Sequence, residues 1–481
     1  MTVYLCVHGH AYQPPRENPE TGVVDRQPSA EPFHDWNERI TDECYRRFGR
    51  AEVHGPDGGI ATVMNLWGEV SFDLGPTLGV WMDRQTPDVA EMIAGGEATF
   101  GGAMAHPWVH AILPLTPFWD RSTIVRWGID DFEHRFGRQP AGMWLPETAV
   151  DVSSLEALVD AGITWTLLAP HQVRRVGDAG TGGSAPGGSA PGGSAPGGSA
   201  PGHRPLVVEL PSGRSITVVP YDGGLSHGIA FNGLLNDGVA LAEAFLEAAD
   251  RANDGDLIVA ATDLETFGHH HAFGEMALAK AVEVWVETDG VELISPERYL
   301  ALAAQQGEPF ERGELVAFTS WSCAHGVERW RSNCGCRFEE VEGQDQSWRA
   351  PLRDALDTVA EVTRRILVQE AGAEFHDVWA ARNAYGRVLA AGSSDAERDR
   401  RVQEFLAAHL VPRADAGRAI GWMEAERLRL EAWSSCAWFF DSLDRIETQQ
   451  VIDEAEVALE HYSELSGRPL NGLALADLVA S

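Results

Sequence analysis

Leu257-Ile-Val-Ala-Ala-Thr-Asp263-Leu-Glu265-Thr-Phe-Gly268 is a short apolar run that ends in two acids and a glycine. A run of this length, bounded by a turn signal, reads as a buried strand. Two other segments are built the same way. Gly142-Met-Trp-Leu-Pro-Glu147 stops in a carboxylate, and Val3-Tyr-Leu-Cys-Val-His8-Gly-His10 stops in two histidines. In a parallel α/β barrel the strand ends converge on one face, and that face holds the chemistry.

Outward from these runs, short β patterns alternate with helical ones up to residue 300. Strands are expected at 60–64 and 291–294. Helices are expected at 87–94, closed by Gly95-Gly96, at 153–161, stopped by Gly162, and at 273–287. This alternation predicts an α/β fold with a mostly parallel sheet of about seven strands. Residues 182–201 repeat Gly-Gly-Ser-Ala-Pro four times and offer no side chain for a core. Strand patterns at 162–169 and 215–221 flank the repeat, so it reads as a flexible insertion within one domain. From 345 the period changes to that of helices, expected at 350–370, 374–391, 396–409, 416–443 and 447–466. The predicted domains are 1–300, a connecting segment 301–344, and a helical domain 345–481. The aromatic run Trp433-Ser-Ser-Cys436-Ala-Trp438-Phe439-Phe440-Asp441 reads either as bundle core or as a cover over the barrel mouth.

The chain has 481 residues, 44% of them hydrophobic, and a formal net charge of −35. Such a field repels nucleic acid and anionic lipid and tolerates a neutral ligand such as a sugar. No stretch approaches the roughly 20 apolar residues that span a bilayer. The N-terminus runs straight into a strand pattern, without a basic and then apolar leader. Six cysteines are sparse for this length and do not suggest a disulfide framework. A cytoplasmic protein with no nucleic-acid or membrane partner is expected.

Glu147 follows a strand pattern and would face the open end of the sheet. It could equally cap the next helix. Trp144 beside it offers an apolar face on which a sugar could stack. Asp263 and Glu265 alternate across Leu264, so on a strand both would point the same way. Two like charges at that spacing raise one proton affinity, which suits a general acid. His8 and His10 share a face too, and could bind a metal or donate to hydroxyls. His106, Asp222 and the Ala169-Pro-His171-Gln172 turn end other strand patterns and are weaker candidates for lining the site. In Ser320-Trp321-Ser-Cys323-Ala-His325-Gly-Val-Glu-Arg329-Trp330-Arg-Ser-Asn-Cys334-Gly-Cys336, three cysteines and a histidine could hold zinc, but the spacing is not that of a zinc finger. The segment is expected to be a rigid connection, with Trp321 and Trp330 touching substrate or core.

Taken in order, these pieces resemble family 57 glycoside hydrolases, in the branch whose barrel is followed by a helical domain of unknown function. The resemblance rests on His8-Gly-His10-Ala-Tyr-Gln13-Pro-Pro, His34-Asp-Trp-Asn-Glu-Arg-Ile40, Phe72-Asp73-Leu-Gly-Pro-Thr77, Ser320-Trp-Ser-Cys-Ala-His-Gly326 and Ser435-Cys-Ala-Trp-Phe-Phe-Asp441. It implies an incomplete seven-stranded (β/α) barrel and retaining chemistry on α-linked glucans. Glu147 matches the family's nucleophile and Asp263 its acid/base. Glu265, His8 and His10 fall at positions that line the family's sugar site. Gln13, His106, Trp144, Asp222 and Trp321 are further expected substrate contacts, and no cofactor or metal is called for. Two stretches depart from better-known members: Ala11-Tyr12 separate His10 from Gln13, and Gly101-Gly102-Ala-Met-Ala-His106-Pro107 replaces a triple-glycine segment. A metal-dependent hydrolase of the deacetylase or mannosidase kind, with His8, His10 and Asp263 as ligands, is the second reading. A carbohydrate-binding protein without catalysis is the third.

Overall fold

The computed structural model describes residues 1–177, 203–339, 343, 345–392, 394–470 and 475. The repeat at 182–201 lies outside the described residues. The strands that build the barrel are β1 (Val3–Ala11), β2 (Ser71–Leu74), β3 (Ala103–Met104), β4 (Trp165–Leu168), β5 (Ser215–Pro220), β6 (Leu257–Asp263) and β7 (Val291–Leu293).

β6, β1, β2 and β3 pair in that order, all parallel, and β7 pairs with the start of β1. The stretch 142–145 fits between β3 and β4 through the bridges Ala105–Met143 and Gly142–Trp165. β4 then pairs in parallel with β5. Seven segments thus follow one another around an arc: β5, β4, 142–145, β3, β2, β1 and β6. Among the described residues no ladder closes the arc. At the seam the Asp222 N–H donates to the Val259 carbonyl at 2.6 Å, and the Ala261 N–H donates to the Ser226 hydroxyl at 3.0 Å. A turn and the helix Gly223–Phe231 fill the gap. This is the incomplete seven-stranded (β/α) barrel expected from the sequence.

Alternation along the strands sorts side chains into two cores. Cys6, Trp144, Leu167, Val219, Leu257, Val259 and Ala261 fill the barrel interior. Val3, Leu5, Val7, Met143, Leu145, Ile258 and Ala260 pack outward against the helices. His8 and His10 continue the inward row of Cys6, and Asp263 continues that of Leu257, Val259 and Ala261. The interior row therefore changes from apolar to ionisable at the strand ends.

Three local expectations are corrected. Residues 60–64 do form a strand, but it pairs with Ala51–His54 in a hairpin outside the barrel, with Ile60 and Val63 exposed. The helix that begins at Pro87 runs through Gly95-Gly96 to Phe100 and ends at Gly101, which takes a left-handed φ of 66°. Gly96 does not stop the helix. It lets the helix lie against Trp67, where a Cβ would sit 2.4 Å from the Trp67 backbone. The third correction concerns the end of β6, which stops at Asp263. Leu264–Thr266 is a tight 3-10 turn, so Asp263 and Glu265 are not alternating strand residues.

Past residue 300 the chain stays with the barrel. The helix Pro296–Gln306 leads to the strand Glu311–Leu315, which joins Leu206–Glu209 and Val173–Arg175 in the extension of the β5 sheet. The helical region contains Arg349–Glu370, Asp395–His409, Ala416–Glu431 and Ile446–Ser466. The helix expected over 374–391 is two short pieces, Val378–Ala384 and Gly386–Leu389. The one expected over 416–443 breaks after Glu431 and resumes as Cys436–Phe439. Trp433 and Trp438 are core, so Trp438 offers no face to a sugar. The break itself meets the barrel: the Ser435 N–H donates to the His110 carbonyl at 2.7 Å. A buried charge cluster adds to this joint. Asp120, on the barrel helix Phe118–Phe136, accepts from Arg382 at 3.1 Å and from both Arg429 nitrogens at 2.7 Å. Both arginines also donate to Glu426.

Candidate active site at the strand ends

Register brings the site together. His10 lies opposite Asp73 on β2 and opposite Asp263 on β6. Asp73 is wholly buried. It accepts from His10 Nδ1–H at 2.8 Å and from His8 Nε2–H at 3.1 Å. Burial opposes its charge, but the His10 charge and both hydrogen bonds outweigh burial and hold its carboxyl down to about 2. Burial likewise opposes charge on His10, yet the Asp73 carboxylate lifts that imidazole to about 9. His10 is thus an imidazolium. Its Nε2–H donates to His110 Nε2 at 3.1 Å, and His110 Nδ1–H donates to the Ser435 hydroxyl at 2.6 Å. Burial keeps His110 neutral by lowering its proton affinity well below the ordinary value. A relay therefore runs from Asp73 through His10 and His110 to a hydroxyl of the helical region.

Asp263 keeps partial solvent contact although protein surrounds it. Burial pushes its carboxyl up to about 7. The His10 charge pulls against this, while Glu265, Glu147 and Asp73 add to it. Glu265 takes another direction. It accepts from the Tyr45 hydroxyl and from the Tyr12 N–H at 3.3 Å. Tyr45 ends a π-helical turn, Thr41–Tyr45, an irregularity that often marks functional sites.

Glu147 sits on a turn, Pro146–Thr148, where both Glu147 (φ 57°) and Thr148 (φ 48°) are left-handed. That region is unfavourable for residues with a Cβ and persists only where surroundings enforce it. Here a strap, residues 316–322, enforces it. The Phe318 N–H donates to the Val150 carbonyl at 2.7 Å, the Val150 N–H to Thr319 at 3.0 Å, and the Trp321 N–H to the Glu147 carbonyl at 3.0 Å. Gln172 Nε2–H holds the Thr148 carbonyl at 2.8 Å. The carboxylate itself accepts from Trp321 Nε1–H at 2.9 Å and from the Ser322 hydroxyl. Trp321 also lies edge-on to Trp144, His10 and Tyr221, so it joins Glu147 to the inner ring.

Several residues expected to touch substrate are placed otherwise. Trp144 is wholly buried, with His8 stacked on it at 4.9 Å and His10 at 5.1 Å, so no sugar reaches its face. His106 is 1% exposed and spends Nδ1–H on the Pro107 carbonyl. Gln13 is 9% exposed and accepts from Arg16. Asp222 caps the helix Gly223–Phe231 and bonds His203. Asp73, Tyr12, Tyr45, His110, Ser322 and Ser435 were not among the sequence candidates. For Asp73 the only sequence signal was its place in the stretch Phe72-Asp73-Leu-Gly-Pro-Thr77, since Val70-Ser-Phe-Asp-Leu74 is too short and too mixed to read as a strand end.

Among the described residues, two groups have ligand atoms close enough for a metal ion: His10, His106 and His110, and Cys323, His325, Cys334 and Cys336. In the first, His10 spends both nitrogens on Asp73 and His110, leaving no lone pair to offer. His8 is equally engaged, by Asp73 and by the Ser71 hydroxyl at 3.0 Å. The ligand set of the metal-hydrolase reading, His8, His10 and Asp263, is thereby not free.

A family model described as glycosyl hydrolase family 57 matches residues 38–310. The chain belongs to that family. A second model, described as a domain of unknown function (DUF3536), matches residues 345–480. No curated protein matches the sequence. Among solved structures, a novel exo-type maltose-forming amylase from Pyrococcus sp. ST04 superposes with a TM-score of 0.76 at 16% identity, covering 99% of this chain and 83% of that one. A family 57 branching enzyme from Pyrococcus horikoshii gives 0.58 at 14% identity, covering 100% and 94%. A 4-alpha-glucanotransferase from Thermococcus litoralis gives 0.54 at 15%, covering 95% of this chain and 60% of that one. At these identities the likeness concerns the fold, which this family 57 member shares over its barrel and helical region alike.

Proposed function

We propose that this family 57 glycoside hydrolase is a retaining enzyme acting on α-linked glucans, by hydrolysis or by transfer to another sugar. Glu147 attacks the anomeric carbon, and Asp263 protonates the departing oxygen. Asp263 then deprotonates the incoming water or sugar hydroxyl. The observation that carries this reading is the contrast between the two acids. Burial keeps a proton on Asp263 near neutral pH, while Glu147 is held in place by two donors, Trp321 Nε1–H and the Ser322 hydroxyl. The imidazolium of His10, fixed by Asp73, stands in register with Asp263 and supplies positive charge to the substrate's polar groups. The α-glucan assignment draws on the solved relatives, a maltose-forming amylase, a branching enzyme and a 4-alpha-glucanotransferase. The division into a catalytic barrel and a helical domain belongs to the same reading. So does a cytoplasmic location, which six cysteines without a disulfide among them favour.

Incubation with a panel of α-glucans, followed by product analysis, tests the proposal and separates hydrolysis from transfer. A 2-deoxy-2-fluoro-α-glucosyl donor should label Glu147, read as a mass increase on its peptide. Glu147→Ala should lose turnover by at least about 10³-fold. Wild-type activity in that variant would overturn the assignment.

A further inference from the structure

We propose that Cys323, His325, Cys334 and Cys336 form a structural zinc site at the end of the strap that holds Glu147. The ligand atoms of all four lie within 4.8 Å of one another. Cys323 Sγ is 3.8 Å from Cys336 Sγ, and Cys336 Sγ is 3.5 Å from His325 Nδ1. Zinc binds thiolate at about 2.3 Å and imidazole at about 2.05 Å, so tetrahedral angles require S···S edges of about 3.8 Å and S···N edges of about 3.5 Å. Both observed distances are edges of that tetrahedron. A disulfide needs about 2.05 Å between the sulfurs, so the thiols face one another as separate donors.

The spacing, Cys-x-His followed by Cys-x-Cys, is unlike a zinc finger, which is why the sequence pattern pointed to a plain connection. Local backbone makes it work. Gly326 (φ 83°) and Gly335 (φ 84°) are left-handed turns beside His325 and between Cys334 and Cys336. Gly326 also packs where a Cβ would lie 2.2 Å from the Phe318 carbonyl oxygen, drawing the histidine back onto the strap.

A second observation is independent of the ligand distances. Two buried arginines border the loop. Arg329 donates to the Ser322 carbonyl at 3.2 Å, and Arg349 donates to the Cys336 carbonyl at 3.0 Å. The Nε of each is buried without a partner. Zinc with three thiolates and a neutral imidazole carries a net charge of −1. Arg349 also lies 3.7 Å from Asp441, so Arg329, which has no carboxylate partner among the described residues, is the buried cation that balances it.

Trp321 and Ser322, the two donors to the Glu147 carboxylate, immediately precede Cys323. Metal binding would fix that end of the strap and so act on Glu147 as a positioning device. This consequence rests on the catalytic reading above, whereas the site itself does not.

The test is zinc analysis of the full-length protein purified without chelator. One zinc per chain is expected, released by a thiol-blocking mercurial and read with a chromogenic chelator. Exchange for cobalt should give the thiolate charge-transfer absorption of a tetrahedral sulfur-rich site. Cys334→Ser with Cys336→Ser should abolish retention. If that variant does not fold, His325→Ala should weaken retention and His325→Cys restore it. Glu147→Ala should keep its zinc whether or not it is active, so failure of the catalytic reading is seen separately. Metal-free protein whose Cys323, Cys334 and Cys336 titrate freely, or a disulfide among them, would overturn the proposal.

Discussion

Asp263 is the residue whose surroundings say most about what it does. Its folded carboxyl titrates at about 7 rather than 3.8. The proton is therefore bound more tightly when folded. The stability this gives is fully present below about pH 3.8 and is lost as pH rises through 7. Asp263→Asn should accordingly stabilise the fold at pH 8, by roughly 1–2 kcal/mol after allowing for partial solvent access, and leave it unchanged at pH 3.5. In the wild type, kcat/KM should fall above about pH 7 as the general acid deprotonates, and this limb should vanish in Asp263→Asn with the residual rate. Calorimetry and a pH–rate profile check the two halves. The reading of Asp263 and Glu147 as strand-end acids came from apolar runs that stop in a carboxylate, a local pattern. The burial of Trp144 was not legible, because a lone tryptophan before a proline does not show that two imidazoles will cover it. Nor did the sequence reveal that Glu265 would turn to Tyr45, which required knowing that β6 ends one residue before Leu264.

Among the elements, the helix Pro87–Phe100 offers a clean contrast. Gly95 is exposed, and a Cβ there would meet nothing within 4 Å, while Gly96 lies on the Trp67 backbone. Gly95→Ala should stabilise by about 0.5–1 kcal/mol through helix propensity and reduced unfolded-state freedom. Gly96→Ala should destabilise by more than that, since one methyl must push two backbones apart. Chemical denaturation of the pair decides it. The Gly-Gly dipeptide looked like a stop signal because glycine serves both purposes, and only the neighbour across the contact separates them. Long amphipathic helices such as Arg349–Glu370 and Ile446–Ser466 were legible to within a residue or two, since many periodic positions agree. The strands β2 and β3 were not, being four and two residues long with too few positions to show a period. The break after Glu431 was hidden for another reason: Ser434 and Ser435 leave the helix to meet Tyr12 and His110, partners that lie more than 300 positions away.

For the whole molecule, the buried cluster of Asp120, Arg382, Glu426 and Arg429 ties barrel to helices. Removing one partner strands charge in the interior, so Glu426→Ala should cost about 3–5 kcal/mol in urea unfolding at pH 7. Burial opposes the Glu426 charge, but Arg429 and Arg382 hold its carboxyl down to about 2 from 4.5. Its contribution is present above pH 4.5 and disappears as pH falls toward 2. Asp73 behaves alike from 3.8. Wild type and Glu426→Ala should therefore differ widely in unfolding free energy at neutrality and converge in strong acid. The hydrogen bond from His110 to Ser435 carries a further consequence. The chemistry at the front of the polypeptide leans on a hydroxyl supplied 325 positions later. A chimera that grafts foreign helices onto this barrel would inherit a proton wire missing its last rung. A foreign bundle would have to return a hydroxyl to that one spot, the broken joint between Glu431 and Cys436, before the imidazole of His110 could be held as it is here.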